Sequence, residues 1–352
     1  MQIRDFDPKG AGDDEIRAIH ALQSRLHAET WPEDNPLPVE DTLSWLRHMP
    51  AMIDFRGWAV WDDAGESVIA RADFETWRTD ENQHLGEFSI GVLPASRRQG
   101  LATQLLGPIV DEAKARKRRL LHTWADAENE GATGFLTWLG ARPGLTMTNN
   151  QLVLAEVDRV LMRQWIERGE AKAQGFRLEL IDGPYPEADI QAISDLFRVM
   201  NDAPRGSLDV EDEEYKVEHI RQWEGTMIKR GLERWRMQAR HIESGELAGF
   251  TEVVWNPYRP DILQQWGTGV KPTFRGLGLG RWLKAAMLEQ VLRERPSVRV
   301  IRTGNATSNG PMLKINFDMG FKPYKAFQVW EVETEQVARV LTEKEAVPAL
   351  AW

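Results

Sequence analysis

Two glycine-rich segments carry the residue pattern in this sequence that is best suited to chemistry. The first reads RRQGLA from Arg97 and the second reads RGLGLG from Arg275, so both fit the pattern R-x-x-G-x-G/A. Each segment lies between a strand-like apolar stretch and an amphipathic helical stretch. Small residues let the backbone curl around a ligand, while successive N–H groups and the helix N-terminus face an anion. The pattern therefore predicts two sites for a pyrophosphate group.

The context of the two segments is also repeated along the chain. GVLPASRRQGLATQLL, which begins at Gly91, is echoed by GVKPTFRGLGLGRWLK, which begins at Gly269. Farther on, Asn129 corresponds to Asn309, and each is followed by a helical segment that closes on a glycine. A repeat of this length indicates two copies of one fold. We therefore predict domains over 1–165 and 176–352, joined by a linker over 166–175.

The elements around each segment alternate between strands and helices. Strands are expected over 57–61, 67–74, 86–93 and 120–124 in the first half, and over 298–303 in the second. This alternation predicts the α/β class, in the form of a mixed (α+β) sheet covered by helices. The Gly107-Pro108 pair predicts a kink in the helix that follows the first glycine-rich segment.

Composition excludes several functional classes. The 352 residues carry a formal net charge of −10, which disfavours a nucleic acid partner. Cysteine is absent, so disulfides and thiolate chemistry are excluded. The N-terminus has no signal-peptide pattern, and no apolar stretch is long enough to cross a membrane. We expect a cytoplasmic protein without membrane contact, as a monomer or homodimer, and histidine spacing predicts no metal site.

The glycine-rich pattern at a strand-to-helix junction resembles the signature of the GNAT acetyltransferase superfamily. The segments NEGATGFLTWLGA and NGPMLKINFDMGF resemble that family's second conserved region. The second half is similar to the tandem-GNAT group of bacterial proteins that includes mycothiol synthase, through Asn305, Asn309, Met312, Asn316, Gly320 and Phe321. The resemblance implies two tandem GNAT (acyl-CoA N-acyltransferase) domains, each a twisted mixed sheet flanked by helices, with acetyl-CoA (coenzyme A) as cosubstrate.

The resemblance also implies which residues contact the cofactor. In the first half they are Val92, Arg97, Arg98, Gln99, Gly100, Leu101, Ala102, Thr103 and Asn129. In the second half they are Val270, Arg275, Gly276, Leu277, Gly278, Leu279, Gly280, Arg281 and Asn309. The two arginines of the pattern would add positive charge, and the two valines would bond the pantetheine arm as an added strand. Asn129 and Asn309 could equally be helix N-caps.

Acetyl transfer to an amine needs a base, and Glu87 is our candidate, because GNAT enzymes often keep a glutamate near this position. A solvated strand carboxylate is the alternative reading. The repeat places Gln265 at the equivalent position in the second half, where Glu252 or Asp261 could substitute. His122 is a further candidate base, although it could point outward.

A tyrosine often protonates the leaving thiolate in this family, and here its two positions hold Leu136 and Asn316. Leu136 can only pack, whereas Asn316 could donate a hydrogen bond to the sulfur. The first half therefore has a candidate base but no candidate acid, whereas the second half has a polar residue at the acid position but no glutamate at the base position.

We expect acetyl transfer to a primary amine of a small molecule by direct attack in a ternary complex. The alternatives are a non-catalytic acyl-CoA-binding or sensing protein, and one catalytic domain with a structural second copy. Dinucleotide binding is disfavoured, because the G-x-G-x-x-G pattern would require glycine at Arg281.

Overall fold

The computed structural model describes residues 2–346. Its strands are β1 (Gln2–Phe6), β2 (Ile53–Trp61), β3 (Val68–Trp77), β4 (Leu85–Val92), β5 (Leu120–Asp126), β6 (Arg142–Val153), β7 (Phe176–Asp182), β8 (Glu233–His241), β9 (Leu247–Trp255), β10 (Ile262–Val270), β11 (Val300–Ala306) and β12 (Lys322–Glu333). Its helices are α1 (Asp13–Thr30), α2 (Val39–Arg47), α3 (Leu101–Ala115), α4 (Glu130–Trp138), α5 (Arg159–Lys172), α6 (Ile190–Phe197), α7 (Val217–Arg230), α8 (Leu279–Glu294), α9 (Gly310–Met319) and α10 (Thr334–Ala346).

These elements form two compact units that do not follow the order of the sequence. Unit 1 contains residues 2–146, 207–211 and 327–346, and unit 2 contains residues 147–206 and 212–326. Each unit therefore takes a strand and a helix from the opposite half of the chain.

The sheet of unit 1 has the strand order β1-β2-β3-β4-β5-β12. Strand β4 runs antiparallel to β3 and parallel to β5, so the sheet is mixed. Helix α3 covers one face, where Leu105, Ile109 and Phe74 are fully buried. Helices α1 and α2 supply a smaller apolar cluster around Ile16. The two faces of β4 therefore meet different surroundings.

The sheet of unit 2 has the order β6-β11-β10-β9-β8-β7 and is built in the same way. Strand β10 pairs antiparallel with β9 and parallel with β11. Helix α8 covers one face with helix α5 beside it, and Trp282 of α8 shares one apolar core with Met162 and Trp165 of α5. The mixed sheet flanked by helices that the sequence predicted is confirmed in both units.

The closing strand of each repeat lies in the other repeat's unit. Residues 147–153 of β6 pair with β11 in unit 2, and residues 327–333 of β12 pair with β5 in unit 1. Residues 166–172 of the stretch that we predicted as a linker belong to α5, a helix of the unit 2 core. The compact units thus differ from our sequence boundaries, because a repeat shows the order of the strands but not which sheet a closing strand joins.

Two smaller expectations can be compared with the structure. Helix α3 continues from Leu101 to Ala115 with Pro108 inside it. Within residues 2–346, no helix has the length and apolar character needed to cross a membrane.

Candidate active site

The first glycine-rich segment of unit 1 forms a tight loop between β4 and α3. Gly100 is the N-cap of α3 and has a left-handed conformation with φ 80°. The first helical bond of α3 runs from Gln104 N to Gly100 O at 3.0 Å, so the preceding amide groups lie outside the helical ladder. Such a turn aims backbone donors and the positive end of the helix at one point.

Unit 2 repeats this loop between β10 and α8. Gly276 and Gly278 have φ of 80° and 86°, and a Cβ atom at either position would meet no protein atom within 4 Å. Both glycines therefore border open space. Lys172 of α5 donates to the Gly276 carbonyl at 2.7 Å, so a cation also lies at this loop.

The two arginines of the pattern hold the loops in the same way. The Nε atom of Arg97 donates to the Val92 carbonyl at 3.2 Å, and that of Arg275 donates to the Val270 carbonyl at 3.0 Å. Each guanidinium is also paired with a carboxylate of its own unit, Glu29 for Arg97 and Asp202 for Arg275. These side chains therefore tie the loop to the strand end.

The strand that precedes each loop parts from its parallel neighbour. In unit 1, β4 pairs with β5 only over 85–87 and then continues to Val92. In unit 2, β10 pairs with β11 over 262–264 and continues to Val270. A parting of two parallel strands leaves strand edges that an extended ligand can join by backbone hydrogen bonds.

Four side chains form a line on one face of the unit 1 sheet, across its strands, at the point where β4 and β5 part. Partners in register share one face of a sheet, and the pairings place Glu87 beside both a β3 and a β5 residue. The line continues onto β12. We call this line the unit 1 row, and it consists of Glu75, Glu87, His122 and Glu331. Glu87 is exposed, so the row is open to solvent at this point.

The family comparison can now be added to this geometry. The model of the acetyltransferase (GNAT) family matches residues 16–141 and 194–314. The chain belongs to the GNAT family. Together with the structural neighbours, this membership makes it an N-acetyltransferase and confirms the fold class and the tandem arrangement.

Among solved structures, this GNAT protein is similar to a tandem GNAT protein from the clavulanic acid biosynthesis pathway. The two are 25% identical with a TM-score of 0.77, over 95% of this chain and 98% of that one. A GCN5-related N-acetyltransferase from Sphaerobacter thermophilus shares the fold at 14% identity and a TM-score of 0.63, over 94% and 96% of the two chains. The search of curated proteins found no match.

His122 is buried and oriented by a carboxylate from the other end of the chain. Its Nε2 atom lies 3.0 Å from Glu331 Oε2. Burial by itself would raise the pKa of Glu331, but hydrogen bonds from Arg142, the Asp209 amide and His122 outweigh it, and the pKa falls to about 2. Glu331 is therefore a carboxylate at neutral pH, and it favours the His122 tautomer that leaves Nδ1 as an acceptor.

The equivalent line in unit 2 has different chemistry. The pairings of β9, β10, β11 and β6 define the unit 2 row, which consists of Val254, Gln264, Arg302 and Gln151. Arg302 donates to Gln151 at 2.8 Å. The row contains no carboxylate and no histidine, so no side chain in it can accept a proton at neutral pH.

The register corrects one of our sequence assignments. Gln264, not Gln265, occupies the place of Glu87, because it pairs with Arg302 as Glu87 pairs with His122. The register of β10 shifts between Gln265 and Thr268, where an extra residue forms a bulge. The extra residue lengthens the sequence between this position and the glycine-rich loop by one residue. Neither glutamine can serve as a base, so this conclusion from the sequence is unchanged.

Gln265 points to the opposite face, toward α8. Lys284 of α8 is only 2% exposed, and its Nζ atom donates to Gln265 Oε1 at 3.3 Å. Burial lowers the pKa of Lys284 to about 7. The unfolded chain therefore binds this proton more tightly than the folded chain does, and folding stability should rise with pH between about 7 and 10.5.

Lys284→Met is expected to stabilise unit 2 at neutral pH, because methionine fills similar space without a buried ammonium group. The gain should shrink as pH rises toward 10, by up to about 1.4 kcal/mol per pH unit. Urea unfolding of both proteins at several pH values measures this difference. A gain that stays constant with pH would show that Lys284 is not the titrating group.

Glu252, which we considered as a substitute base in unit 2, is sealed in the interior. It is 2% exposed, and its Oε1 accepts hydrogen bonds from Arg236 at 2.9 Å and from the Tyr185 hydroxyl. A carboxylate that is buried and bonded in this way is closed to molecules from solvent. Asp261, the other candidate, lies just before β10. Its backbone carbonyl accepts hydrogen bonds from the backbone amides of Arg299 and Val300.

The two positions of the family's tyrosine are both buried. Leu136 of α4 is 5% exposed within the core of unit 1. Asn316 of α9 is fully buried, and its Nδ2 donates to Asn305 Oδ1 at 2.8 Å. The Asn316 Oδ1 atom has no hydrogen-bond partner within residues 2–346.

Asn129 and Asn309, for which cofactor contact and helix capping were both open, have the same local role. The Asn129 side chain accepts from Ala132 N at 3.0 Å, and the Asn309 side chain accepts from Met312 N at 3.3 Å. Both are therefore N-caps of the helix that follows β5 or β11.

Our sequence analysis missed three residues of these sites. Glu331 and Lys172 reach their places through the exchange of closing segments, so no local pattern identified them. Glu75 lies on a strand without a motif, in a segment that also contains Arg71 and Asp73, so no local pattern distinguished it. Within residues 2–346, no group of three or more histidines and carboxylates is placed to hold a metal ion.

Proposed function

We propose that this GNAT protein transfers an acetyl group from acetyl-CoA to a primary amine of a small molecule, and that the transfer occurs in unit 1. The contrast between the two rows carries this proposal. The unit 1 row offers Glu87 and His122 as proton acceptors where β4 and β5 part, whereas the unit 2 row offers glutamines and an arginine. The similarity to a tandem GNAT protein from a small-molecule pathway supports a small acceptor.

The loop after β4 would hold the pyrophosphate of acetyl-CoA. We assign this role to the backbone amides from Arg98 to Thr103, since they surround the left-handed turn at Gly100. Arg97 acts as a positioning residue, because its guanidinium is already shared between Val92 and Glu29. The open edge of β4 would bond the pantetheine arm.

Glu87 would receive the proton that the acceptor nitrogen must lose. Its exposed carboxylate can be reached by an amine, and it lies on the last residue pair before the strands part. His122 stands next to Glu87 with its ring oriented by Glu331, and because it is buried it would receive this proton by way of Glu87.

In unit 2 we propose cofactor binding without transfer. The Gly276–Gly280 loop repeats the geometry of the first loop, and Lys172 adds a positive charge to it. A hydrogen bond from Asn316 to the cofactor sulfur stays a proposal for this unit.

Release of the coenzyme A thiol in the presence of a panel of primary amines tests the proposed reaction. At least one amine should give steady thiol release together with an acetylated product detected by mass. Binding of acetyl-CoA without turnover on any amine in the panel would contradict the proposal and leave a non-catalytic acyl-CoA-binding protein.

A further inference from the structure

Trp124 of β5 is an exposed aromatic residue beside the unit 1 row. It is 55% exposed. It lies two residues beyond His122, so the two side chains share one face of the sheet, about 6.6 Å apart along the strand. The pairing of β4 with β5 ends at Glu87 and His122, so Trp124 lies where the two strands have parted. Single exposed aromatic residues are common on protein surfaces, so the position of Trp124 is more informative than its exposure.

The neighbours of Trp124 on β12 are apolar. Val329 is its partner in register, and Phe327 lies two residues away from Val329 on the same face. Diagonal neighbours on adjacent strands are within reach of aromatic side chains. The ring of Phe327 also contacts that of Trp31, with 5.7 Å between the ring centroids. Apolar groups therefore border Trp124 on the side away from β4.

The end of α1 crosses this face of the sheet. Leu26 stands against Gly91 of β4, where an added Cβ atom would lie 2.6 Å from Leu26 Cδ1. Trp31, the residue that follows α1, contacts Phe327 of β12. The end of α1 therefore reaches from β4 to β12, and β5 lies between these two strands. Since Trp124 is still exposed on β5, the protein itself does not fill the space beside it.

Unit 2 has no such ring at the matched position. Gly304 stands where unit 1 has Trp124, because the pairings of β10 with β11 and of β4 with β5 align the two rows. The β6 partner of Gly304 is the polar Asn149. The fold therefore requires neither an indole nor an apolar partner here, and of the two units only the one whose row can accept a proton has both.

We propose that the acceptor is an arylalkylamine whose aromatic ring stacks on the indole of Trp124 while its nitrogen reaches Glu87. This inference rests on the proposed function of unit 1. Aromatic rings in contact stabilise each other beyond the effect of burial alone. One strand spacing across the sheet and two residues along it separate the two positions by about 8 Å, which a ring with a short alkyl chain can span. Val329 and Phe327 favour an aromatic ring over the hydroxyl groups of an amino sugar.

Trp124→Ala tests this stacking through kinetics with phenethylamine and butylamine, which is too short to reach the indole. The wild type should have the higher kcat/KM with phenethylamine. In the variant, the KM for phenethylamine should rise about ten-fold, while kcat/KM for butylamine and the KM for acetyl-CoA stay unchanged. Trp124→Phe should keep most of the preference, because it keeps a ring. Trp266→Ala removes a 43% exposed indole from unit 2 and is the matched control, which should alter neither amine.

Two kinetic results would overturn the proposal. Equal losses for phenethylamine and butylamine in Trp124→Ala would show that the indole supports the strand and not the acceptor. A higher wild-type kcat/KM with glucosamine than with phenethylamine would show that the acceptor is a sugar.

A binding measurement separates failure of this proposal from failure of the proposed function. Saturation-transfer NMR detects phenethylamine on the protein in the presence of coenzyme A, whether or not an acetyl group is transferred. A signal that is lost in Trp124→Ala and kept in Trp266→Ala would support the stacking even if no amine were acetylated, a result that would refute the transfer alone. No signal in the wild type, or an unchanged signal in Trp124→Ala, would overturn the stacking even in an active enzyme.

Discussion

Glu87→Gln is expected to lower kcat for acetyl transfer by ~10²–10⁴-fold, with little change in the KM for acetyl-CoA. Glutamine keeps the shape and hydrogen-bonding reach of the side chain but cannot accept the proton. The side chain is exposed at the end of the β4–β5 pairing, so the fold should not change. Steady-state kinetics with a reactive amine, together with a melting curve, measure both quantities.

Unit 2 offers a matched control for this variant. Gln264 occupies the place of Glu87 there, and Gln264→Ala should leave kcat unchanged. If both variants lost activity to the same degree, Glu87 would be acting on the structure of the sheet and not on the proton.

Gly100→Glu is expected to weaken acetyl-CoA binding to unit 1 by at least ~100-fold, equivalent to about 2.7 kcal/mol. The backbone at Gly100 has φ 80°, which L-residues rarely adopt, and the new carboxylate would stand where the phosphates bind. Calorimetric titration of acetyl-CoA measures the affinity and counts the sites.

Two further variants separate charge from backbone strain. Gly100→Ala carries a similar left-handed penalty of about 1–2 kcal/mol without a charge, so its affinity should fall less. Gly278→Glu should remove only the unit 2 site. Equal affinity in Gly100→Glu and the wild type would refute the assignment of the loop.

Local patterns were sufficient to predict the loops and the strand that carries Glu87, the base that we propose. Glycine positions, apolar periodicity and the repeat all act over a few residues, so Gly100 and Gly278 could be recognised from spacing alone. Glu87 was placed on the right strand for the same reason. The fold class followed because alternating strands and helices allow few arrangements.

Long-range pairing could not be read from the sequence. The repeat is equally consistent with two independent domains and with an exchange of closing strands, because each half contains every element of the fold. The sequence therefore did not identify Glu331 as the hydrogen-bond partner of His122. The bulge in β10 shifted the alignment by one residue, so that Gln265 was chosen in place of Gln264.

Turnover by Gly100→Glu and Gly278→Glu, measured side by side with one reactive amine, tests the central claim that acetyl transfer occurs in unit 1. We expect Gly100→Glu to lose thiol release and Gly278→Glu to keep the wild-type kcat, apart from any effect on stability that a melting curve would show. Loss of turnover in Gly278→Glu with activity kept in Gly100→Glu would contradict this claim and place the reaction in unit 2.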